Sequence, residues 1–178
     1  MKTNYILLAA CGLLAGCALE PPPAATYYDP ATGARTDVSE NLLATEGQPR
    51  EVVWLNAFRD HRGGRGQSSY YLEVQYIAPA DVGYLDIPPG KTLTLVADGS
   101  STTFDSNGSL NRRRAFSREN ADFVREDAFY PVSQHDLQKI ASARDVKVQI
   151  KGNNGLVERQ FRPENFERIK AFVAQAGL

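Results

Sequence analysis

The stretch SQHDLQKIASARDVKVQIKGNNGLVERQFRPENFERIKAFV, residues 133–173, carries the clearest fold signals of this chain. Ser133 stands three residues before Asp136, which is the capping-box spacing that begins a helix. One face of this helix is apolar at the spacing i, i+3, i+4: Leu137, Ile140 and Ala141. The first part of the stretch therefore predicts an amphipathic helix.

A strand, a hairpin and a second helix follow that first helix. Apolar residues alternate with polar ones over residues 146–151, which is the period of a strand with one buried face. Residues 152–155, GNNG, are typical of a turn, and Pro163 suits the first turn of a helix. The apolar stripe of that last helix has four members: Phe166, Ile169, Phe172 and Val173. We therefore predict an α+β fold, a mostly antiparallel sheet with two C-terminal helices packed on one face.

The region before residue 133 has the composition of strands. Residues 52–58 and 70–77 are rich in β-branched and aromatic side chains, and the second run alternates apolar with mostly polar residues. Asp98-Gly99, the dipeptide that most readily closes tight hairpins, separates two further runs of this kind. Asn107-Gly108 is a second turn signal of the same type.

The amino terminus has the organisation of a secretory signal. Lys2 provides a positive charge, and the apolar segment Tyr5 to Leu14 is too short to span a membrane. The run Leu14-Ala15-Gly16-Cys17 resembles the lipobox of bacterial lipoproteins. The resemblance implies removal of residues 1–16 and lipidation of Cys17. Since Ala18 rather than aspartate follows the cysteine, it also implies the periplasmic face of an outer membrane.

Three regions follow from these signals. Residues 1–16 are a lipoprotein signal peptide, residues 17–49 are the lipidated cysteine with a Pro- and Ala-rich tether, and residues 50–178 are a single globular α+β domain. The tether prediction rests on Pro21-Pro22-Pro23 and on the small and polar residues that continue to Pro49.

Charge and cysteine content exclude several functional classes. The 20 Lys and Arg residues and the 21 Asp and Glu residues give a formal net charge of −1, which does not favour a nucleic-acid binder. The two cysteines are Cys11, lost with the signal peptide, and Cys17, which carries the lipid. The mature chain then has no cysteine for a disulfide, a redox pair or a metal site.

Catalytic and metal-binding motifs are absent from the sequence. The chain has two histidines, His61 and His135, neither in a zinc-binding spacing. There is no nucleophile elbow, no P-loop and no dinucleotide-binding glycine pattern. We therefore expect no cofactor, no metal and no enzymatic activity. The alternative is an envelope enzyme whose active-site residues are scattered along the sequence.

One basic segment is a candidate binding site. Residues 59–66, RDHRGGRG, are predicted to form the loop between the first two strands. The loop places Arg59, His61, Arg62 and Arg65 close to glycines. Guanidinium groups offer planar paired donors, and glycine-rich turns form anion-binding concavities, so this loop is a candidate site for an anionic lipid or glycan. The alternative is a solvated hairpin loop without a ligand.

The order of elements from Tyr130 to Phe172 resembles the C-terminal halves of uncharacterised bacterial lipoproteins, and this resemblance implies no activity. The lipid anchor, the tether and the small domain without a catalytic motif together favour a non-catalytic binding or scaffolding module of the cell envelope. Its expected partners are the membrane, through the lipid, and an envelope protein, an anionic lipid or a glycan.

Overall fold

The computed structural model describes residues 24–29, 34–43, 50–63, 67–116 and 122–178. The predicted signal peptide, Cys17 and Arg65 lie outside the described residues. The elements are, in chain order, β1 (Ala25–Asp29), β2 (Ala34–Val38), β3 (Leu42–Leu43), β4 (Val52–Gly63), β5 (Gln67–Pro79), β6 (Gly90–Ala97), β7 (Ser100–Ser106), β8 (Ser109–Phe116), β9 (Asp122–Pro131), α1 (Gln134–Ser142), β10 (Val146–Gly152), β11 (Gly155–Gln160) and α2 (Pro163–Ala176).

The described strands form two sheets rather than one. The larger sheet has seven strands in the order β1-β2-β4-β5-β9-β8, with β3 also paired to β4. The smaller sheet has four strands in the order β11-β10-β6-β7. The strand pairs within both sheets are antiparallel. The prediction of a mostly antiparallel fold with two helices is confirmed at this level.

The C-terminal elements begin where the sequence predicts them. Ser133 caps α1, because its Oγ accepts from the Asp136 backbone N–H at 3.1 Å while the Asp136 carboxylate accepts from the Ser133 N–H at 2.9 Å. Pro163 occupies the first turn of α2. The hairpin β10–β11 turns between Gly152 and Gly155, as expected.

One hydrophobic core joins both sheets and both helices. The helices contribute the buried residues Leu137, Ile140, Ala141, Ile169 and Phe172, while Phe166 and Val173 are partly buried against them. The helices contact each other, and α2 also contacts β4. The apolar faces predicted for the two helices are therefore the faces that enter the core.

The two turn signals have different outcomes. Asp98 and Gly99 have φ angles of 48° and 81° and close the β6–β7 hairpin within the smaller sheet. Asn107-Gly108 instead connects β7 of the smaller sheet to β8 of the larger one. A Cβ atom at Gly108 would lie 2.9 Å from the backbone nitrogen of Pro89, so this crossing requires glycine.

The predicted tether contains strands of the larger sheet. β1, β2 and β3 all lie within residues 17–49, and Val38 and Leu43 are buried. The strand β1 lies at the edge of the sheet, and β2 and β3 are short strands that each pair with part of β4. Short strands at an edge need no long apolar run, and the sequences of these strands have none. For these residues the tether is corrected to a part of the fold, and the folded region extends to the amino-terminal side of residue 50.

The predicted basic loop is also shorter than expected. β4 continues through Arg59, His61 and Arg62 to Gly63, so these residues belong to a strand and not to a connection. Strand β2 pairs with this end of β4 and places the buried carboxylate of Asp37 at 3.1 Å from His61 Nε2.

Candidate functional site

The larger sheet has two chemically different faces. Its inner face consists of side chains that enter the core, and its outer face consists of the side chains that alternate with them along β4, β5 and β9. Asn56 pairs with Glu73, and Trp54 pairs with Gln75, so these four outer-face residues are neighbours on two adjacent strands.

A concave cavity of about 590 Å³ lies on this outer face. Its lining comes from strands β1, β2, β4, β5 and β9 and from the bulge at residues 39–41, which joins β2 to β3. The lining residues are Tyr27, Thr36, Val38, Glu40, Trp54, Asn56, Phe58, Glu73, Gln75 and Arg125. The volume falls in the range of small-molecule sites, in which aromatic and apolar side chains accompany a few polar groups.

Three aromatic rings line this cavity. Trp54 and Phe58 lie on the outer face of β4, and Tyr27 is an exposed residue of the edge strand β1. Phe58 is held edge-to-face against Phe129 of β9, with ring centroids 5.7 Å apart and an interplanar angle of 80°. The packing against Phe129 fixes the orientation of one cavity wall.

Glu73 is the buried acid of the cavity. Its exposed fraction is 8%, and its Oε2 accepts a hydrogen bond from Asn56 Nδ2 at 2.9 Å. Burial raises the pKa of the Glu73 carboxyl, and the Asn56 hydrogen bond only partly offsets this rise. The negative charge of Asp127 raises the pKa further, whereas the charge of Arg125 lowers it.

A second buried acid, Glu126, has a structural role in this fold and makes more hydrogen bonds than Glu73. Glu126 is fully buried and accepts from the backbone N–H groups of Asp86 and Ile87 at 2.9 and 2.7 Å, and from the Ser109 hydroxyl. These bonds fasten the chain between β5 and β6 to β9. Among the described residues, the Glu73 carboxylate has one hydrogen-bond donor, whereas the Glu126 carboxylate has three. The fold therefore leaves Glu73 with more unused hydrogen-bonding capacity.

A row of amide side chains connects the cavity to α2. Asn165 Nδ2, in the first turn of α2, donates to Asn41 Oδ1 at 2.8 Å. The Asn41 backbone N–H donates to Asn56 Oδ1 at 2.8 Å, and Asn56 then donates to Glu73. Residues 39–41 interrupt the pairing with β4 between β2 and β3 without adding a residue to the register, and in this outward bulge Glu40 has a φ of 48°. The start of α2 therefore fixes the bulge, and the bulge fixes Asn56 beneath the cavity.

The remaining charged groups of the cavity are internally paired. Arg125 Nε donates to Asp127 Oδ1 at 2.9 Å, and the Asp127 side chain is 2% exposed. The Tyr27 hydroxyl donates to Glu40 Oε1 at 3.1 Å, and this hydrogen bond raises the pKa of Tyr27. Among the described residues in and beside the cavity, carboxylates therefore outnumber cations.

Arg59 and His61, the two residues of the predicted anion site whose side chains are described, are not among the lining residues of this cavity. Arg59 donates to Ser68 Oγ at 3.2 Å and to the Ala176 carbonyl oxygen at 3.2 Å, and its guanidinium lies 5.9 Å from the Tyr70 ring centroid. It therefore ties β4 to the C-terminal end of α2, where a cation also complements the helix dipole.

His61 is held by internal partners as well. Its Nε2 lies 3.1 Å from Asp37 Oδ2, and its Nδ1 lies 3.4 Å from Ser68 Oγ. Arg62 is in β4, although its side chain is not described, and Arg65 is not among the described residues. Anion binding by this segment stays a prediction.

No sequence motif marks the residues that line the cavity, which come from positions almost one hundred residues apart. The single local signal is Glu73, the one charged residue of strand β5. No group of His, Cys, Asp and Glu side chains suited to a metal ion occurs among the described residues. Of the described helices, neither has the length and hydropathy needed to cross a membrane. The chain matches no family model, no curated protein and no solved structure.

Proposed function

We propose that this chain is a membrane-anchored lipoprotein of the bacterial cell envelope, and that it acts as a non-catalytic binding module through the cavity on the outer face of its larger sheet. The observation that carries the proposal is the cavity itself. It combines three aromatic rings with a buried acid and two amide side chains, Asn56 and Gln75, on a rigid sheet.

The proposed arrangement gives the two faces of the sheet different tasks. Both C-terminal helices cover the inner face and stabilise the fold, while the outer face receives the ligand. In support of this division, Ile169 and Phe172 of α2 are buried in the core, whereas Tyr27, on the outer face, is 56% exposed.

The anchor in this proposal is a lipid on Cys17, in the signal context Leu14-Ala15-Gly16-Cys17. The first described strand begins at Ala25, eight residues after Cys17. An extended chain covers at most about 3.5 Å per residue, so the anchor holds the edge of the larger sheet within about 30 Å of the membrane surface. The cavity would then collect a ligand from the periplasmic layer next to the outer membrane.

The alternative is an envelope enzyme that uses the same cavity. One observation favours it: Glu73 has a raised pKa, as general acids often do. An acid catalyst also needs a nucleophile or a base that reaches the substrate. Of the other carboxylates, Asp127 is bound to Arg125 and Glu40 is bound to Tyr27. The binding module is therefore the better-supported function.

Site-specific crosslinking in intact cells tests this proposal. A photoreactive amino acid is placed at Gln75, inside the cavity, and as a matched control at Thr103, which is exposed on β7 of the smaller sheet. We expect a covalent adduct of defined mass from position 75 and not from position 103. Identical adducts from both positions, or no adduct from position 75, would contradict the proposal.

A further inference from the structure

The charge balance of the cavity points to the class of its ligand. Glu40 and Glu73 line the cavity, and Arg125, the one cation among its described lining residues, is already held by Asp127. We propose that the cavity is a site for organic cations, which place an ammonium or guanidinium group beside Glu73 and between the aromatic rings; this inference rests on the proposed function.

Glu73 carries the buried negative charge that a bound cation would compensate. Glu73 is a buried residue with 8% of its surface exposed, and among the described residues its carboxylate has one hydrogen-bond donor and no cation within ion-pair distance. An ionised carboxylate removed from water is costly unless an opposite charge accompanies it. A bound ammonium or guanidinium group supplies that charge and adds charge-assisted hydrogen bonds.

The aromatic lining favours the same ligand class. The rings of Tyr27, Trp54 and Phe58 line the cavity that Glu73 occupies. The face of an aromatic ring is electronegative and attracts ammonium and guanidinium groups, most strongly when the ring is tryptophan. An anion would approach these ring faces and two carboxylates, which both repel it. A neutral sugar could stack on the rings, but it would leave the charge of Glu73 without compensation.

The fold holds the acidic groups in place before any ligand arrives. Asn56 fixes one oxygen of Glu73, and the bulge at residues 39–41 directs Glu40 to the hydroxyl of Tyr27. The Ser39 Oγ accepts from the Ala57 N–H at 2.8 Å and thereby secures the bulge to β4. A preorganised site of this kind loses little conformational freedom on binding.

The titration of Glu73 makes the binding dependent on pH. The charged or titratable groups that face it are Asp127 and Arg125 from β9, Glu40 from the bulge and Tyr27 from β1. A cation binds the ionised form of Glu73, so binding must release the proton wherever the free carboxyl still holds it. Because burial raises the pKa of Glu73, affinity for a cation should fall as the pH decreases through that raised pKa.

Trp54 provides the readout, because it is the one tryptophan of the chain and lines the cavity. Its fluorescence is recorded in the full lipidated chain in a non-ionic detergent during titration with choline, ethylguanidinium or ethylammonium. The neutral control is 3,3-dimethylbutan-1-ol, in which a tert-butyl group replaces the trimethylammonium group of choline. The three cations distinguish a quaternary ammonium ligand from a guanidinium or a primary ammonium ligand.

We expect a saturable change with at least one cation and at least about tenfold weaker binding of the neutral analogue. Glu73→Gln should weaken cation binding by about tenfold or more, whereas Asp105→Asn, an exposed carboxylate on β7, should leave it unchanged. In the unsubstituted chain, affinity should rise as the pH increases through the raised pKa of Glu73. This last measurement does not depend on the folding of any variant.

Binding of the neutral analogue as tight as that of the tightest-binding cation would overturn the cation inference and leave the cavity as a binding site. Absence of any response to the three cations, with crosslinks still formed from Gln75, would also overturn the inference but not the proposed function. Absence of both the response and the crosslinks would overturn the two together.

Discussion

Leu43→Ala tests whether the segment before residue 50 belongs to the folded domain. Leu43 lies on β3, pairs with Val53 and is 1% exposed, whereas its neighbour Leu42 points to the opposite face and is 39% exposed. Removal of a fully buried leucine side chain costs about 3 kcal/mol, from lost burial and from the cavity that remains. For a chain of this size each kcal/mol lowers the melting temperature by about 2–4 °C, so we expect a decrease of about 6–12 °C.

The matched control is Leu42→Ala, which removes the same atoms from a partly exposed position and should cost less than about 1 kcal/mol. Thermal unfolding followed by far-ultraviolet circular dichroism measures the melting temperature of both variants without relying on Trp54, which pairs with Leu42. Equal midpoints for the two variants and the unsubstituted chain would refute the placement of β3 in the sheet. Such a result would restore the flexible tether.

Three other substitutions test the anchor, the core and the buried acid. Cys17→Ser removes the acyl acceptor, so we expect loss of palmitate labelling and release from the membrane fraction; continued labelling would contradict lipidation at this residue. Phe172→Ala, at a buried position of α2, should cost about 3–5 kcal/mol in a urea melt, while Leu156→Ala, at an exposed position of β11, should leave the midpoint nearly unchanged. Glu73→Gln should change how stability depends on pH, as thermal melts at pH 4 and pH 8 can show. Because the pKa of Glu73 is raised in the folded state, the folded chain keeps the proton of Glu73 to a higher pH than the unfolded chain, so the unsubstituted protein loses stability as the pH rises through this range. The Glu73→Gln variant should lack that loss. Identical pH dependence of the two chains would contradict the raised pKa of Glu73.

Local signals predicted the elements whose causes are local. The capping pair Ser133 and Asp136 and the turn Asp98-Gly99 each act within a few residues, so the sequence is sufficient to place them. The strands β1 to β3 have no such signal, since they are short and partly polar. Their conformation depends on β4, to which β2 and β3 pair directly and to which the bulge between them is bonded.

The cavity could not be predicted from the sequence for a related reason. Tyr27, Trp54, Glu73 and Arg125 meet only through the strand order and register of the larger sheet. A period-two pattern indicates which strand residues face outward, but it does not indicate which strands are neighbours. The polar side chains on the outer face of β5 therefore form a binding cavity only because β4 and β9 lie on either side of β5.

The position of β1 has a mechanical consequence under the proposed anchoring. A pulling force on the lipid at Cys17 would reach the sheet at Ala25, the end of an edge strand that is paired to β2. Edge pairs can open one after another, and Tyr27 is only the third residue of this strand. Tension between the membrane and a captured partner would therefore act first on the buried Ala24 and on the Tyr27 wall, so that ligand binding weakens under load before the rest of the core is disturbed.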